Sequence, residues 1–303
     1  MQIVEFLEKN GHRARVVSFE HLDDLREEIQ SLQRGGSLEN GFYREWMPPY
    51  VNARLPGGLR KPRSIFVVAT PVPQFEVTFH WKGRALDFIV PPTYAAGAKV
   101  TRNVEDLLTE RLKPNSFKVT RAVLPVKLLA VRSGLAMYGR NNITYVTGLG
   151  SFHRLTAFYS DYAIPEDNWL EKKALPKCTK CRACLNACPT GAISDDRFLL
   201  RAERCLTCMN ERKSDRSFPP WVKPEWHNAI VGCMICQRIC PYNKNVIDWI
   251  EDGGSFSEEE TEYLLESRHS RRKLARVEKK LKRVGLDPNT FPRNLKVLLD
   301  QRN

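Results

Sequence analysis

Cys178-Thr-Lys-Cys181-Arg-Ala-Cys184-Leu-Asn-Ala-Cys188-Pro189 opens a stretch that closes with Cys233-Met-Ile-Cys236-Gln-Arg-Ile-Cys240-Pro241. Cys205 and Cys208 lie between, and all nine cysteines of the 303-residue chain fall inside these bounds. Three thiolates at x2, x2 spacing wrap one cubic iron–sulfur cluster from a tight loop, and a cysteine held before proline reaches across to a neighbouring cluster. The closing segment repeats the opening one without its first cysteine. The spacing therefore reads as two crossed [4Fe–4S] clusters. Cys178, Cys181, Cys184 and Cys240 form one ligand set. Cys188, Cys233, Cys236 and either Cys205 or Cys208 form the other.

This is the spacing of the bacterial ferredoxins. Zinc also takes Cys-x2-Cys pairs, but structural zinc sites separate two such pairs and rarely run three cysteines into a Cys-Pro. A disulfide framework fits worse: Met1-Gln-Ile-Val-Glu5 is charged at once and has no apolar core of a secretory signal. Nine cysteines for eight ligand places leave one spare, whose ordinary role is a buried thiol.

A net charge of +13 and a pI near 9.4 favour acidic partners: nucleic acid, an anionic cofactor or an acidic electron donor. A merely basic surface is an equally ordinary reading. No apolar run approaches membrane-spanning length, so a soluble protein in a reducing cytoplasm, with no membrane partner, is expected. Internal repeats and low-complexity segments do not stand out.

Periodicity divides the chain in three. Residues 1–168 read as an α/β domain. Ile3, Val4, Phe6 and Leu7 give a first helix, and Leu22, Leu25, Ile29 and Leu32 a second, stopped by Gly35-Gly36. Pro48-Pro49 and Pro56-Gly57-Gly58 mark irregular connections. Ser64–Thr70 is a buried strand, and Thr78–Val90 a hairpin turning at Lys82-Gly83. Helices follow at Asn103–Leu112, with Asn103 as cap, and at Val126–Ser133, with a strand from Asn142. No GxGxxG fingerprint or P-loop appears, and Gly148-Leu-Gly150 alone is too weak to serve as one. Residues 169–250 form the ferredoxin-like, α+β double-cluster domain. Within it the proline-rich Phe218–Trp226 carries tryptophans that either shield a cluster or simply pack. Residues 251–303 form a short basic helical segment. It opens after Gly253-Gly254 with a capping box at Ser257 and Glu260. A second helix carries Leu274, Val277, Leu281 and Val284 on one stripe, and Arg271, Arg272, Lys273, Arg276, Lys279, Lys280, Lys282 and Arg283 elsewhere. That density suits a phosphate backbone or a solvated face.

The segment Ala130-Val-Arg-Ser-Gly-Leu-Ala-Met-Tyr-Gly-Arg-Asn-Asn142 resembles the AxxAGLGWxGKN motif of the epoxyqueuosine reductases. Gly150-Ser-Phe-His-Arg-Leu-Thr-Ala-Phe-Tyr-Ser-Asp161 is similar to their next motif, and so are CPTGAI after Cys188, the segment Gly232–Asn243, and Phe291–Leu295. The resemblance is specific from about 120 to 245. Members of that family, relatives of the reductive dehalogenases, hold base-off cobalamin between an α/β domain and a double-cluster domain. The clusters feed electrons singly to cobalt, which acts on an epoxide in a tRNA anticodon loop. The corrinoid then carries the hard chemistry.

Several expectations follow from the resemblance. Cobalamin would be lined by Gly134, Leu135, Ala136, Met137, Gly139, Arg140, Asn141, Gly150, Ser151 and Phe152. Cys205 aligns with the family's cluster ligand, with Cys208 as the alternative. The chain would be a monomer served by a low-potential ferredoxin or flavodoxin, with tRNA as substrate-bearing partner in queuosine biosynthesis. Departures accompany these expectations. The family's proton-donating aspartate falls on Ala122, GLGW has become Gly134-Leu-Ala-Met137, the GKN lysine is Arg140, and Cys-x-x-Tyr is Cys205-Leu-Thr-Cys208. Tyr138, His153 and Asp161 are then the candidate proton donors, Tyr138 through a pairing with Arg140 that favours release of its proton. The competing reading is a corrinoid-free electron-transfer protein or subunit with two [4Fe–4S] clusters, or a nucleic-acid-binding module that uses clusters structurally.

Overall fold

A computed structural model describes residues 3–52, 59, 61–266 and 271–302, with the side chains of 271–275 also outside the description. Pro56-Gly57-Gly58 therefore lies outside the described residues, as do the side chains of Arg271, Arg272, Lys273 and Leu274.

The first helix, α1 (Ile3–Lys9), buries Ile3 and Leu7, one turn apart on one face. Strand β1 (Arg13–Ser18) follows, then α2 (His21–Arg34), which buries Leu22, Leu25 and Ile29. Helix α2 ends at Gly35, whose N–H returns to the Ser31 carbonyl at 2.9 Å. Helix α3 (Asn40–Trp46) starts at Glu39, whose carboxylate accepts from the N–H groups of Gly41 and Phe42, both at 2.7 Å. Pro48-Pro49, expected to be irregular, opens the single turn α4 (Pro48–Val51). Proline suits a first helical turn, where its missing N–H goes unused.

Strand β2 (Ser64–Pro71) is followed by the hairpin β3 (Gln74–Trp81) and β4 (Arg84–Val90). Lys82 and Gly83 both take positive φ, 51° and 73°, the pairing a two-residue hairpin turn needs to follow strand twist. Helix α5 (Gly97–Leu112) begins ahead of Asn103, which is interior rather than a cap. Its buried Val100, Val104, Leu108 and Leu112 recur every fourth residue and carry the helix back through that position. Strand β5 (Val119–Arg121) leads to α6 (Val126–Arg132). The strand expected from Asn142 is the short β7 (Thr144–Tyr145), paired with β6 (Met137–Tyr138). Strand β8 (His153–Ser160) is a long central strand that its mixed polar pattern conceals.

Strands β1, β2, β8 and β5 form one sheet in that order, and every ladder in it is antiparallel. Alternation along the strands splits the core in two. Val17, Ile65, Val67, Ala157 and Tyr159 face α2 and α6, with Leu25, Leu128 and Leu129. Ala14, Phe66, Val68 and Phe158 face α1 and α5, with Leu7, Val104 and Leu108. Full burial of each large apolar side chain contributes about 1.5–3 kcal/mol. Helices on both faces of buried strands were legible, whereas the antiparallel pairing carries no local signal.

The cysteine region contains the short helices α7 (Ala183–Ala187), α8 (Leu206–Glu211) and α9 (Ile235–Arg238). Beyond it, Ile250–Phe256 is a strand, β9, and Gly253-Gly254 lies inside it rather than opening a helix. Strand β9 runs parallel to β3, from Gln74 opposite Ile250 to Phe79 opposite Phe256. A side chain at Gly253 would meet Val77 Cγ2 at 2.6 Å and the Glu76 carbonyl oxygen at 2.9 Å, so glycine is what permits this approach. Helix α10 (Glu258–Leu265) starts with the expected capping box, reciprocal bonds between Ser257 and Glu260 at 3.2 and 3.0 Å. Helices α11 (Arg271–Val284) and α12 (Phe291–Asp300) complete the chain. Val277, Leu281, Val284, Phe291 and Leu295 share one core with Val77, Phe79 and Phe88 of the hairpin. The segment set apart as 251–303 thus closes over β3 and β4. No helix among the described residues is long and apolar enough to cross a membrane.

Candidate double-cluster centre

The cysteines are presented by backbone that proline constrains. Cys188 and Cys240 each precede proline, which excludes the helical conformation. They end α7 and the turn after α9 in extended geometry, with ψ of 109° and 122°. Helices α7 and α9 pack against each other, bringing the two loops together.

The neighbours of Cys184 and Cys233 show which cysteines the fold brings together. Burial, then the proximity of Cys240, Cys178 and Cys181, pushes the Cys184 thiol up to about 11. Burial also pushes Cys233 up to about 11, with Cys205 and Cys188 beside it. Cys236 is raised by burial, then by Cys233 and Cys205, and last by Cys184 of the first loop. Cys240 has therefore crossed to the first loop and Cys188 to the second. Cys208 stands behind Cys205 and donates its thiol to the Cys205 sulfur, holding Cys205 below the ordinary thiol range. That bond and burial raise the Cys208 thiol.

Nine soft thiols in two such groups suit iron–sulfur clusters. Among the described residues, no three His, Cys, Asp or Glu side chains are gathered to hold a single ion. Trp226, Cys208 and Cys233 pack, partly buried, against Leu206, Met209 and Val222. Trp221 faces outward, at 36% exposure, with the Arg204 guanidinium 6.0 Å from its ring centre.

The segments expected to line a corrin ring meet the cysteine loops. Arg140 donates to the carbonyl oxygens of Cys178 at 2.7 Å and Cys181 at 3.1 Å, and pairs with Asp195 at 2.8 Å. Asn141 donates to the Tyr145 hydroxyl at 3.0 Å, and that hydroxyl bonds the Cys240 sulfur. Ser151 accepts from Asn243 Nδ2 at 2.8 Å and donates to Gln237 at 2.8 Å. Leu135, Ala136, Gly139 and Phe152 are buried against protein. At Gly150, φ is 55° and an added side chain would strike Asn243, so its smallness serves packing. Gly134, Met137 and Tyr138 keep accessible surface, and the Tyr138 ring stands edge-on to Phe198, itself 51% exposed.

The proton-donor expectations change. Asp161 accepts from the Lys118 N–H at 2.7 Å. It lies beyond the far end of β8 from His153, roughly 25 Å away along the strand, so it ties strand ends together. His153 is buried and bonded to Thr144 at 3.2 Å, and burial holds it down to about 4, so it stays neutral. Tyr138 is not paired with Arg140, whose guanidinium is committed to the first cysteine loop. Burial and then Glu28 raise the Tyr138 phenol, and Arg132 opposes them. Ala122 is buried in the α6-side core, its N–H bonded to the Ala157 carbonyl at 2.9 Å. Sequence reasoning missed Asn228, whose amide nitrogen lies 3.3 Å from Cys233 Sγ. Its position five residues before that cysteine was the available signal.

Residues 177–243 match the family model described as a 4Fe-4S double cluster binding domain. An epoxyqueuosine reductase of Burkholderia pseudomallei (strain K96243) is 31% identical over 185 residues, covering 54% of this chain and 44% of that protein. One of Escherichia coli (strain K12) is 34% identical over 116 residues, covering 38% and 29%. The matches thus span less than half the length of these curated relatives. The solved epoxyqueuosine reductase of Bacillus subtilis, with its catalytic aspartate loop swung out of the active site, superposes with a TM-score of 0.68 at 21% identity. That superposition covers 98% of this chain and 79% of the other. A second structure, an epoxyqueuosine reductase with an epoxyqueuosine-modified tRNA-Tyr stem loop, also gives 0.68, at 22% identity. The cysteine region is similar in sequence to the epoxyqueuosine reductases, and the chain shares their fold along nearly its whole length.

Proposed function

We propose that the chain is a two-cluster iron–sulfur oxidoreductase of the epoxyqueuosine reductase type, acting on a tRNA-borne or related substrate. What supports this reading is that the two cysteine loops meet, with Cys240 beside Cys184 and Cys188 beside Cys233. Cys178, Cys181, Cys184 and Cys240 would hold one [4Fe–4S] cluster, and Cys188, Cys205, Cys233 and Cys236 the other. Such clusters supply one-electron transfer when bound. The protein's own residues position them: Arg140 fixes the first loop, Cys208 and Asn228 approach the second set, and Trp226 packs on the apolar cluster beside it. A corrinoid, when bound, would supply two-electron reductive chemistry at cobalt, and Gly134, Met137, Tyr138 and Phe198 have surface free to meet it. A cytoplasmic monomer served by a low-potential ferredoxin or flavodoxin completes the reading, with domains at 1–168, 169–250 and 251–303.

The burial of Leu135, Ala136, Asn141, Ser151 and Phe152 favours a second reading, a corrinoid-free electron carrier with the same clusters. Iron, sulfide and cobalt analysis of protein reconstituted anaerobically with cobalamin tests both. About eight irons per chain are expected. Cobalt retained through gel filtration supports the reductase, and its absence the carrier. Four irons, or stoichiometric zinc, would sink both.

A further inference from the structure

Asn228 stands between Trp226 and α9 with every polar atom of its side chain engaged. Its oxygen accepts from the Met234 backbone N–H at 2.9 Å. Its nitrogen donates to the Trp226 carbonyl at 2.9 Å and to Cys233 Sγ at 3.3 Å. A backbone N–H can only donate and a carbonyl can only accept, so the amide has one orientation, with an N–H on the sulfur. Cys233 and Trp226 pack against the small apolar cluster of Leu206, Met209 and Val222, so the donor meets the sulfur at the edge of apolar surroundings. A hydrogen-bond dipole there is weakly screened.

We propose that Asn228 sets the reduction potential of the second cluster, resting on the two-cluster reading. Reduction adds one electron, and its negative charge spreads onto the thiolate sulfurs. The positive end of the Asn228 N–H dipole at Cys233 Sγ stabilises that charge, so the cluster accepts an electron more readily than it would without the donor. The Thr190 hydroxyl, 3.5 Å from Cys188 Sγ, lies at another sulfur of the same set. Asn228 is thus a positioning residue acting through Cys233.

The test compares anaerobically reconstituted wild type, Asn228→Leu and Asn228→Asp by iron analysis and by redox titration followed with electron paramagnetic resonance. Leucine removes the donor without adding charge, whereas aspartate keeps an acceptor for Met234 but offers no N–H. In both variants we expect wild-type iron content and one midpoint shifted to a more negative potential, the other unmoved. Full iron with neither midpoint shifted in Asn228→Leu would overturn the proposal. So would loss of one cluster's iron in both variants, which would make Asn228 a structural support. A wild type holding four irons or zinc fails earlier, and that failure belongs to the two-cluster reading itself.

Discussion

The Arg140 guanidinium donates to the Cys178 backbone carbonyl at 2.7 Å, so a residue beyond β6 on the antiparallel sheet side holds the loop of the first cysteine. Its reach to Cys181 and Asp195 makes one side chain a three-way clamp. Arginine suits this, since its planar fork serves several acceptors at once, whereas lysine offers a point charge. Arg140→Ala should cost about 2 kcal/mol of stability, given that a hydrogen bond to a charged group contributes about 1.5–3 kcal/mol and the site is partly open to water. Arg140→Lys should recover less than half of that. Denaturant unfolding measures the cost, and in air the Ala variant should lose its cluster absorbance faster. Equal loss rates would detach Arg140 from the first loop.

Cys205 and Cys208 divide two roles. The Cys208 proton on the Cys205 sulfur, and the nearness of Cys205 to Cys233 and Cys236, favour Cys205 as the fourth ligand of the second set. Cys205→Ser should therefore remove about half the iron, while Cys208→Ser keeps it. The reverse result, with iron lost in Cys208→Ser alone, would exchange the two assignments.

Stability should fall as the solution is acidified. Burial holds His153 down to about 4 and, with Arg293 adding, His227 down to about 4, below the ordinary imidazole value of 6.5. The unfolded chain binds these protons first, so the native state keeps its full advantage above pH 6.5 and loses it as pH falls toward 4. The loss should approach about 1 kcal/mol per pH unit for each histidine. Urea unfolding at pH 7.5 and 5.5 reads it, and His153→Phe should flatten the difference. An undiminished slope in that variant would remove His153 as its source.

The basic face of α11 is only partly available to an acidic partner. Lys280 bonds the Ser255 carbonyl at 2.9 Å, pairs with the half-buried Glu260 and lies over the Phe256 ring at 5.4 Å. It secures α11 to β9 and the start of α10. Arg276 and Lys282 are exposed, with side-chain exposures of 82% and 79%. Lys280→Gln should lower stability by about 1 kcal/mol and leave tRNA affinity nearly unchanged. Arg276→Gln with Lys282→Gln should weaken tRNA binding and reduce the slope of log affinity against log salt by about 2. Unaltered affinity in the double variant would leave this face as solvated surface.

What was legible in the sequence follows from where information is local. Three cysteines ahead of Cys188-Pro189 define a loop without help from the rest of the chain, and Ser257 and Glu260 define their capping box in the same way. Lys82-Gly83 announces its hairpin through backbone preference alone. Strand β9 escaped because its justification is distant: Gly253 is glycine on account of Val77 and Glu76 in another strand, and locally it reads as a helix boundary. Arg140, Asn141 and Ser151 were recognised as important, but their residue types cannot distinguish a wall for a ring from a clamp on a loop. The partner, Cys178 or Asn243, decides that. Asp161 and His153 misled for the same reason, since eight positions along one strand put them at opposite ends of the sheet.

Ala122 carries the sharpest functional prediction. The family resemblance assigns this position a proton-donating aspartate, and here it is a methyl group at 6% exposure among Leu124, Leu128 and Tyr159. Two-electron opening of an epoxide leaves an oxygen or carbon anion that must gain a proton, so a chain without this acid should turn over epoxyqueuosine-containing tRNA poorly or not at all. Restoring the carboxylate does not restore the role if its side chain points into this core. Burial would raise the pKa of an aspartate there and cost about 2 kcal/mol or more in stability, because no partner among the neighbouring leucines offers a hydrogen bond. Ala122→Asp should therefore unfold at lower denaturant and show no gain in turnover with a strong chemical reductant. Turnover by the wild type comparable to that of an aspartate-bearing relative would show that the proton comes from elsewhere. Gain of activity in Ala122→Asp without loss of stability would show instead that the 121–125 loop turns this position outward when substrate binds.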